Sequence, residues 1–517
     1  MAQAFAFPPA RYALLTYFAA CSAWAQLPSP SPQNSSRAAP LPLSGNTSQA
    51  ASVAEEQSAS PVGSASTINS SIRVGGALSG SVPVTGLPAG SIALSLADAV
   101  KLALRWNLGP IAADDSARAA RAERIQALST LLPNISVNAS DTVSQVNLAA
   151  YGFQFKTPPG LNFSIPSVVG PFNYASLQGT LNLSVYDAVQ RHNWHAAKQT
   201  ERAMVLSAQD TRELVALATG GTYLQTIATA ARVASQQAQV NNARAIYNQA
   251  VVRKQAGTNA RIDVTRSLVE FQTEQQRLSS LQADLRKQKI SLGRILGLPL
   301  DRELNLTDTL RLETTTPPDA AESIQRALQH RADVQAAEAQ VRAAEQQVSA
   351  AHAERFPSVT LGGNYGVLGA NPVSTHGVFA VTGSVNVPVW QGGRIKGDIQ
   401  QAEATLHQRQ AELEDQRGRI EQDVRTALIE LQTALGQVQV AESNRNYANE
   451  TLSQARDRFN AGVATTVEVV QAQEQVANAE SDYVSSLFSL NLSRLMLARA
   501  TGDAENETPG LLKGSRP

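Results

Sequence analysis

The chain has 517 residues, with 43 Lys plus Arg against 43 Asp plus Glu and so no net formal charge, a balance that leaves no electrostatic footprint for a nucleic-acid partner. Aromatics make up only 5% of it, too few for a thick globular core at this length. The single cysteine, Cys21, rules out an intrachain disulfide.

At the N-terminus Arg11 precedes an apolar stretch from Tyr12 to Ala20, and Ala23-Trp24-Ala25 forms a small-x-small site before Gln26. Residues 1–25 are therefore expected to be a signal peptide cleaved after Ala25. A second processing route stays open, because Phe18-Ala-Ala-Cys21 has the layout of a lipoprotein box with Phe where Leu is usual, which makes Cys21 a candidate lipidation site. Residues 26–90, rich in Ser, Pro, Ala and Gly, read as a flexible leader. No later apolar run approaches the roughly 20 residues of a membrane helix.

Ser95 and Asp98 read as the cap of a first helix of medium length. After Pro133, Ile135, Val137 and Ala139 alternate with Ser136 and Asn138, then the phase is lost before Val146 and Leu148. Tyr151, Phe153, Phe155, Phe163, Phe172 and Tyr174 are expected in a loop between strands, the kind of aromatics that sit at a bilayer surface. From Ala175 to Val185 the period is strictly two: Leu177, Gly179, Leu181, Leu183 and Val185 alternate with Gln178, Thr180, Asn182 and Ser184. Val359, Leu361, Gly363, Tyr365 and Val367 repeat it later, and Phe379, Val381, Gly383, Val385, Val387 and Val389 share one face of a last strand. Half-buried strands of a soluble sandwich have the same period. The near absence of charge on the polar faces and the aromatic loop favour strands with lipid outside and water inside, at the ~9 to 11 residues such strands need. Four strands cannot close a cylinder, and unpaired edges cannot sit in hydrocarbon. Spanning strands would therefore require several chains to share one barrel, three chains and twelve strands being the simplest cyclic solution.

From Asp187 to about Ala256, and again from Gln391 to about Ala461, proline is absent and glycine sparse. A helix of about 70 residues would reach roughly 105 Å. Val424, Leu428, Leu431, Leu435 and Val438 step by four and three, the spacing of coiled-coil packing; a coiled-coil rod is the plain reading of these helices taken alone. Each ends at a glycine and returns, through Arg253-Lys-Gln-Ala-Gly257-Thr258-Asn-Ala-Arg261-Ile-Asp263 and Arg458-Phe-Asn-Ala-Gly462-Val463-Ala-Thr-Thr-Val-Glu468. Thr465-Thr-Val-Glu468 reads as a capping box, a role that a pore-facing Glu468 could fill at the same time. Asp263 lacks the hydroxyl and reads as a first-turn anion. Arg253, Arg261 and Arg458 read as solvated surface or as partners of nearby acids.

Chemistry is missing. His192 and His195 are three apart without a carboxylate or thiol at ligand spacing, so a surface pair is preferred to a metal site. There is no nucleophile elbow, phosphate loop or cysteine cluster to carry an enzyme, and no cofactor is implied.

The chain also says most of this twice. Ala103-Leu104 and Pro133 recur 224 positions later as Ala327-Leu328 and Pro357, while Gly257 and Asp263 match Gly462 and Glu468 at 205. A first unit over 91–315 and a second over 316–502 thus run helix, strand pair, long helical hairpin, each covering the other's apolar face. Residues 503–517 read as a disordered tail.

With these pieces in order, residues 94 to 502 resemble the TolC-type outer-membrane efflux family. The resemblance rests on Leu94-Ser-Leu-Ala-Asp-Ala-Val-x-Leu-Ala-Leu104, the junctions at Pro133 and Pro357, Val-Pro-Val-Trp390-x-Gly-Gly-Arg394, and both hairpin tips. It implies a mainly α fold with membrane β: four strands per protomer in a shared twelve-stranded barrel of a homotrimer, above a periplasmic barrel of helical hairpins. It implies a passive duct in outer-membrane lipid, working with a periplasmic adaptor and an inner-membrane pump in efflux. Type I protein secretion is the alternative, and a non-channel scaffold the more distant one. In the family the position of Glu468 often holds an aspartate ring facing the pore, and Gln471 stands where some members carry a second acid; the pair are gate candidates, with a double carboxylate in doubt. Arg253, Gly257, Thr258, Asp263, Arg458, Gly462 and Val463 are implied as adaptor-contact tips, Thr258 departing from the family's usual apolar residue.

Overall fold

The computed structural model describes residues 53–59, 68–84, 90–152, 166–257, 260–312, 316–370 and 373–512. The expectations for the signal peptide, Cys21, Phe153, Phe155, Phe163 and Thr258 lie outside the described residues.

A hairpin of β1 (Val53–Ala59) and β2 (Ile68–Val74) comes first. Short β3 (Ile92–Leu94) leads into α1 (Leu96–Trp106) and α2 (Leu108–Ser129). Then come β4 (Asn134–Asn147), β5 (Val168–Tyr186), the long α3 (Ala188–Gln255) and its return α4 (Arg261–Leu296). After β6 (Leu304–Leu306), which pairs in parallel with β3, the order recurs. It runs α5 (Ala320–His330), α6 (Ala332–Ala353), β7 (Ser358–Gly369), β8 (Thr375–Asn386), α7 (Arg394–Asn460) and α8 (Thr466–Thr501), followed by a single turn, α9 (Ala504–Glu507). At 68 and 67 residues, α3 and α7 are each roughly 100 Å long. Among the described residues no helix is long and apolar enough to cross a membrane.

The first helix is capped as expected, Ser95 accepting from the Asp98 amide at 3.2 Å. It does not run through to Pro133, however. Asn107 breaks it, with an extended backbone and its Oδ1 accepting from the Gly109 amide at 2.9 Å. The buried Asn107 amide also donates to Leu78 O at 2.7 Å and Ile295 O at 3.2 Å. The second unit breaks correspondingly at Arg331.

The leader and the tail are more ordered than their composition suggests. Leu78 is fully buried in the main core with Leu94, Val215, Tyr223 and Leu292, and Val82 and Val84 donate backbone hydrogen bonds to Trp106 and Gly297. Residues 68–84 are thus not a free leader. Apolar Leu78 and main-chain pairing hold them, and composition counts neither. In the tail, Arg212 grips Glu505 through two hydrogen bonds of 2.9 and 2.5 Å, the Glu505 amide donates to Glu213 at 3.0 Å, and Ala504 and Leu512 enter the same core. Residues 503–512 are therefore a packed strap, because an ion pair and a backbone hydrogen bond to α3 compensate for a polar sequence.

The heptad positions of α7 behave as read: Val424, Leu431 and Val438 are buried, with Leu428 and Leu435 partly so, against α6 and α8. Tyr223 donates to both Leu94 O (2.8 Å) and Asp308 (2.9 Å), and Asp308 also accepts from the Leu96 amide at 2.7 Å, so one carboxylate anchors the start of α1. Burial, followed by this hydrogen bond to Asp308, pushes the Tyr223 phenol well above its ordinary range.

Candidate functional site: a two-faced sheet and paired hairpin tips

The strands form one antiparallel sheet in the order β4-β5-β7-β8, leaving β4 and β8 as its edges. Its register aligns the alternation of all four. Ile135, Leu181, Gly363 and Val381 lie in one row across the sheet; Val137, Gly179, Tyr365 and Phe379 lie in another. The intervening rows are polar: Ser136 with Thr180 and Asn364, and Asn138 with Gln178. Those side chains bond one another, Ser136 to Thr180 at 2.7 Å, Ser140 to Ser176 at 2.9 Å, and Asn364 donating to Gln178 at 3.4 Å. Among the described residues nothing covers the apolar face, where Phe379 is 78% and Val381 71% exposed.

The sheet corrects three details of the sequence reading. Where β4 loses its alternation its register with β5 shifts, and the extra residue belongs to β5, where Gly170 and Pro171 stand opposite the single Gln145. Phe172 and Tyr174 belong to β5, paired with Ser144 and Thr142, rather than to a loop; pairing with β4 continues well past Ala175 and lengthens β5 to 19 residues. β8 ends at Asn386, so Val387 and Val389 fall beyond it, where Pro388 has no amide to donate.

At the other end of the molecule each long helix reverses at a glycine with a left-handed backbone, φ +78° at Gly257 and +77° at Gly462. In the second tip Thr465 caps α8 by accepting from the Glu468 amide at 3.4 Å. That is half of the expected capping box, as the Glu468 carboxylate reaches instead to Arg458, 3.2 Å away on α7. Gln471 is exposed one turn on, and Val463 is 69% exposed at the turn itself. In the first tip Asp263 sits in the opening turn of α4, with Arg266 at 3.7 Å, and Arg261 is exposed.

The two tips touch. The Arg253 guanidinium lies over the Phe459 ring at 4.2 Å, and Gln249 donates to Asn460 at 3.4 Å. Phe459 is buried with Leu452, Val469 and Val476. Sequence reading placed Arg253 and Arg458 at the tips but had no means of pairing them, because Phe459 meets Arg253 across 206 residues. The aromatic beside Arg458 was the available signal.

Farther from the tips, a charge network that sequence reading missed binds the helices together. Arg331 is buried and forms a two-pronged pair with Asp333 at 3.1 and 2.7 Å, a contact to Asp423 at 3.3 Å and a bond to Ala500 O at 3.4 Å. Burial works to raise the Asp333 pKa, but the hydrogen bonds and charge of Arg331 outweigh it and hold the carboxyl below its ordinary range. Asp210 pairs with Arg499 at 2.6 Å, yet its burial prevails and its pKa lies above the ordinary range. His192 and His195 do not converge on one point: His192 Nδ1 lies 3.1 Å from Gln346 Oε1, and the His195 ring packs against Trp194 at 4.7 Å. Among the described residues no group of three metal-binding side chains gathers.

Residues 323–503 match the outer membrane efflux protein family. Among curated proteins the chain is similar to the pyoverdine export outer membrane protein OpmQ of Pseudomonas putida, 24% identical over 54% of this chain and 60% of that one. It is 26% identical to the toluene efflux pump outer membrane protein TtgF of Pseudomonas putida, over 48% of this chain and 52% of that one. The matched stretch thus spans a little over half the length of these relatives. Two solved structures share the fold: the outer membrane protein VceC of Vibrio cholerae (TM-score 0.65, 21% identity, 79% of this chain and 96% of that one) and the CmeC outer membrane channel of Campylobacter jejuni (TM-score 0.69, 16% identity, 79% and 86%).

Proposed function

We infer that this chain, a TolC-type outer membrane efflux protein, works as one third of a channel that carries small molecules out through the periplasm and outer membrane. Two units of the same order, arising by internal duplication, give each protomer four strands and two hairpins. Three protomers close a twelve-stranded barrel in outer-membrane lipid, and their hairpins continue it as a periplasmic helical barrel. The duct is passive; an inner-membrane pump supplies the energy and a periplasmic adaptor meets the tips.

One observation carries this reading. The sheet presents rows of exposed apolar side chains on one face, bonded polar rows on the other, and an open edge on β4 and on β8. Hydrocarbon tolerates the first face and water the second, but hydrocarbon does not tolerate the edges unless other copies pair with them. The Arg253–Phe459 and Gln249–Asn460 contacts hold the two hairpins of a protomer together near their tips. Adaptor binding at Gly257, Val463 and their neighbours favours a splayed arrangement over this closed one, with Glu468 and Gln471 at the pore mouth.

The test is the mass of the detergent-extracted particle, expected to hold three copies and to conduct ions in planar bilayers. A water-soluble, well-folded monomer would overturn the proposal. Export of a polypeptide through the same duct is the second reading, favoured by the same geometry; export assays with the partner pump present separate the two.

A further inference from the structure

Between α3, α4 and α8, about midway along the hairpins, lies a cavity of about 80 Å³ lined by Arg232, Ser235, Gln239, Leu281, Glu480 and Ser481 among others. Arg232 stands 25 residues before Gly257, so the cavity is roughly 35 to 40 Å from the tip along the helix. Its guanidinium is an anomaly. Among the described residues it forms no ion pair; its one hydrogen bond runs from Nη2 to Ser485 Oγ at 2.8 Å, and its buried Nε has no partner. Burial alone lowers its pKa, with no carboxylate acting to restore it.

Two acids stand nearby, one engaged elsewhere and one on the cavity wall. Glu274, one turn toward the tip, is taken up by Gln236 and by Arg277 at 2.7 Å, and Glu480 lines the cavity without pairing to Arg232. A half-buried cation whose Nε is shut off from water and which has no ion-pair partner is costly to hold there. A polar cavity beside it is where compensation is found.

We propose that this cavity is a binding site for a small oxyanion, a phosphate or a simple carboxylate, seated against the Arg232 guanidinium. The hydroxyls of Ser235 and Ser481 and the amide of Gln239 stand on its wall to donate the remaining hydrogen bonds. Because α3 and α4 belong to the first hairpin and α8 to the second, the bound anion joins the two. It therefore stabilises the pair of hairpins as a unit, at a place separate from the tip contacts.

The test is thermal unfolding of the full-length, detergent-extracted protein at fixed pH and ionic strength. Inorganic phosphate or acetate replaces gluconate, a carboxylate too bulky for the cavity. Between ~1 and ~100 mM phosphate the wild type is expected to gain about 2 °C or more over Arg232→Gln, the comparison cancelling the general stabilisation phosphate gives any protein. Arg232→Lys should keep part of the gain. In gluconate the order reverses, and Arg232→Gln is the more stable because it no longer buries a bare charge. A gain with phosphate but not acetate assigns a tetrahedral ligand; a gain with both assigns oxyanions generally. Glu480→Gln should strengthen the phosphate response. If wild type and Arg232→Gln respond alike, or if Arg232→Gln and Glu480→Gln destabilise equally with no anion dependence, Arg232 pairs with Glu480 in solution and the proposal fails.

Discussion

The strand sheet and the helical hairpins solve the same packing problem in opposite ways. In α7 the apolar heptad positions turn inward and vanish: Leu431 is 1% exposed and Val424 fully buried. In β8 the apolar positions turn outward, with no described residue of the chain over them. Both are regular alternations of apolar and polar residues, so pattern alone does not tell inside from outside. The charge does. The helices carry ion pairs on their wet faces, such as Arg425 with Glu421 and Arg419 with Asp415, while the polar rows of the sheet are bonded through hydroxyls and amides such as Ser136 with Thr180 and Asn364 with Gln178. One end of the molecule is built for water all round and the other for two solvents.

The largest expected effect tests the helical half. Arg331→Ala strands Asp333 in a buried setting and should cost about 3–5 kcal/mol, read by denaturant unfolding. A loss below about 1 kcal/mol would show the network to be ornamental. The same variant sharpens a pH prediction. Asp333 has a depressed folded-state pKa, so its stabilisation is present above the ordinary carboxylate value of about 3.9 and is lost as pH falls through the folded value. Arg331→Ala should remove that acid limb from the stability profile. Next comes the sheet: Val381→Arg on the apolar face should cost about 2–4 kcal/mol if it lies near the bilayer midplane, whereas Thr382→Arg beside it should cost little. Equal tolerance in liposome refolding would erase the contrast between the faces. Smaller again, Thr465→Ala should cost about 1 kcal/mol through loss of the α8 cap. Smallest in stability is Glu468→Ala, expected to change single-channel conductance or cation block with little change in unfolding. An unaltered trace would leave Glu468 as the partner of Arg458 alone.

The local features were legible. Strand phase, the extents of α3 and α7 and the glycine reversals all follow from spacing, because each depends on residues within a few turns of one another. The Asn107 break was also written there, as Asn-Leu-Gly-Pro110 pairs a capping residue with a first-turn proline. The apolar spacing continues across it and masks the break. The tip and core partnerships were not legible. Arg253 finds Phe459, Arg331 finds Asp423 and Arg212 finds Glu505 over 206, 92 and 293 residues, distances over which sequence offers charges but no pairing. The packed tail was misread for the same reason, since its order comes from Arg212 and Glu213 rather than from its own composition.

Asn107 carries a last consequence, for biogenesis. Its amide is satisfied by Leu78, 29 residues upstream, and by Ile295, 188 downstream, and β5 needs β7, with Leu181 opposite Gly363. A chain threaded across a membrane N-terminus first must therefore wait, with half its strands delivered and neither edge matched, until more than three hundred residues have emerged. During that interval the delivered strands stand open to mispairing with other chains.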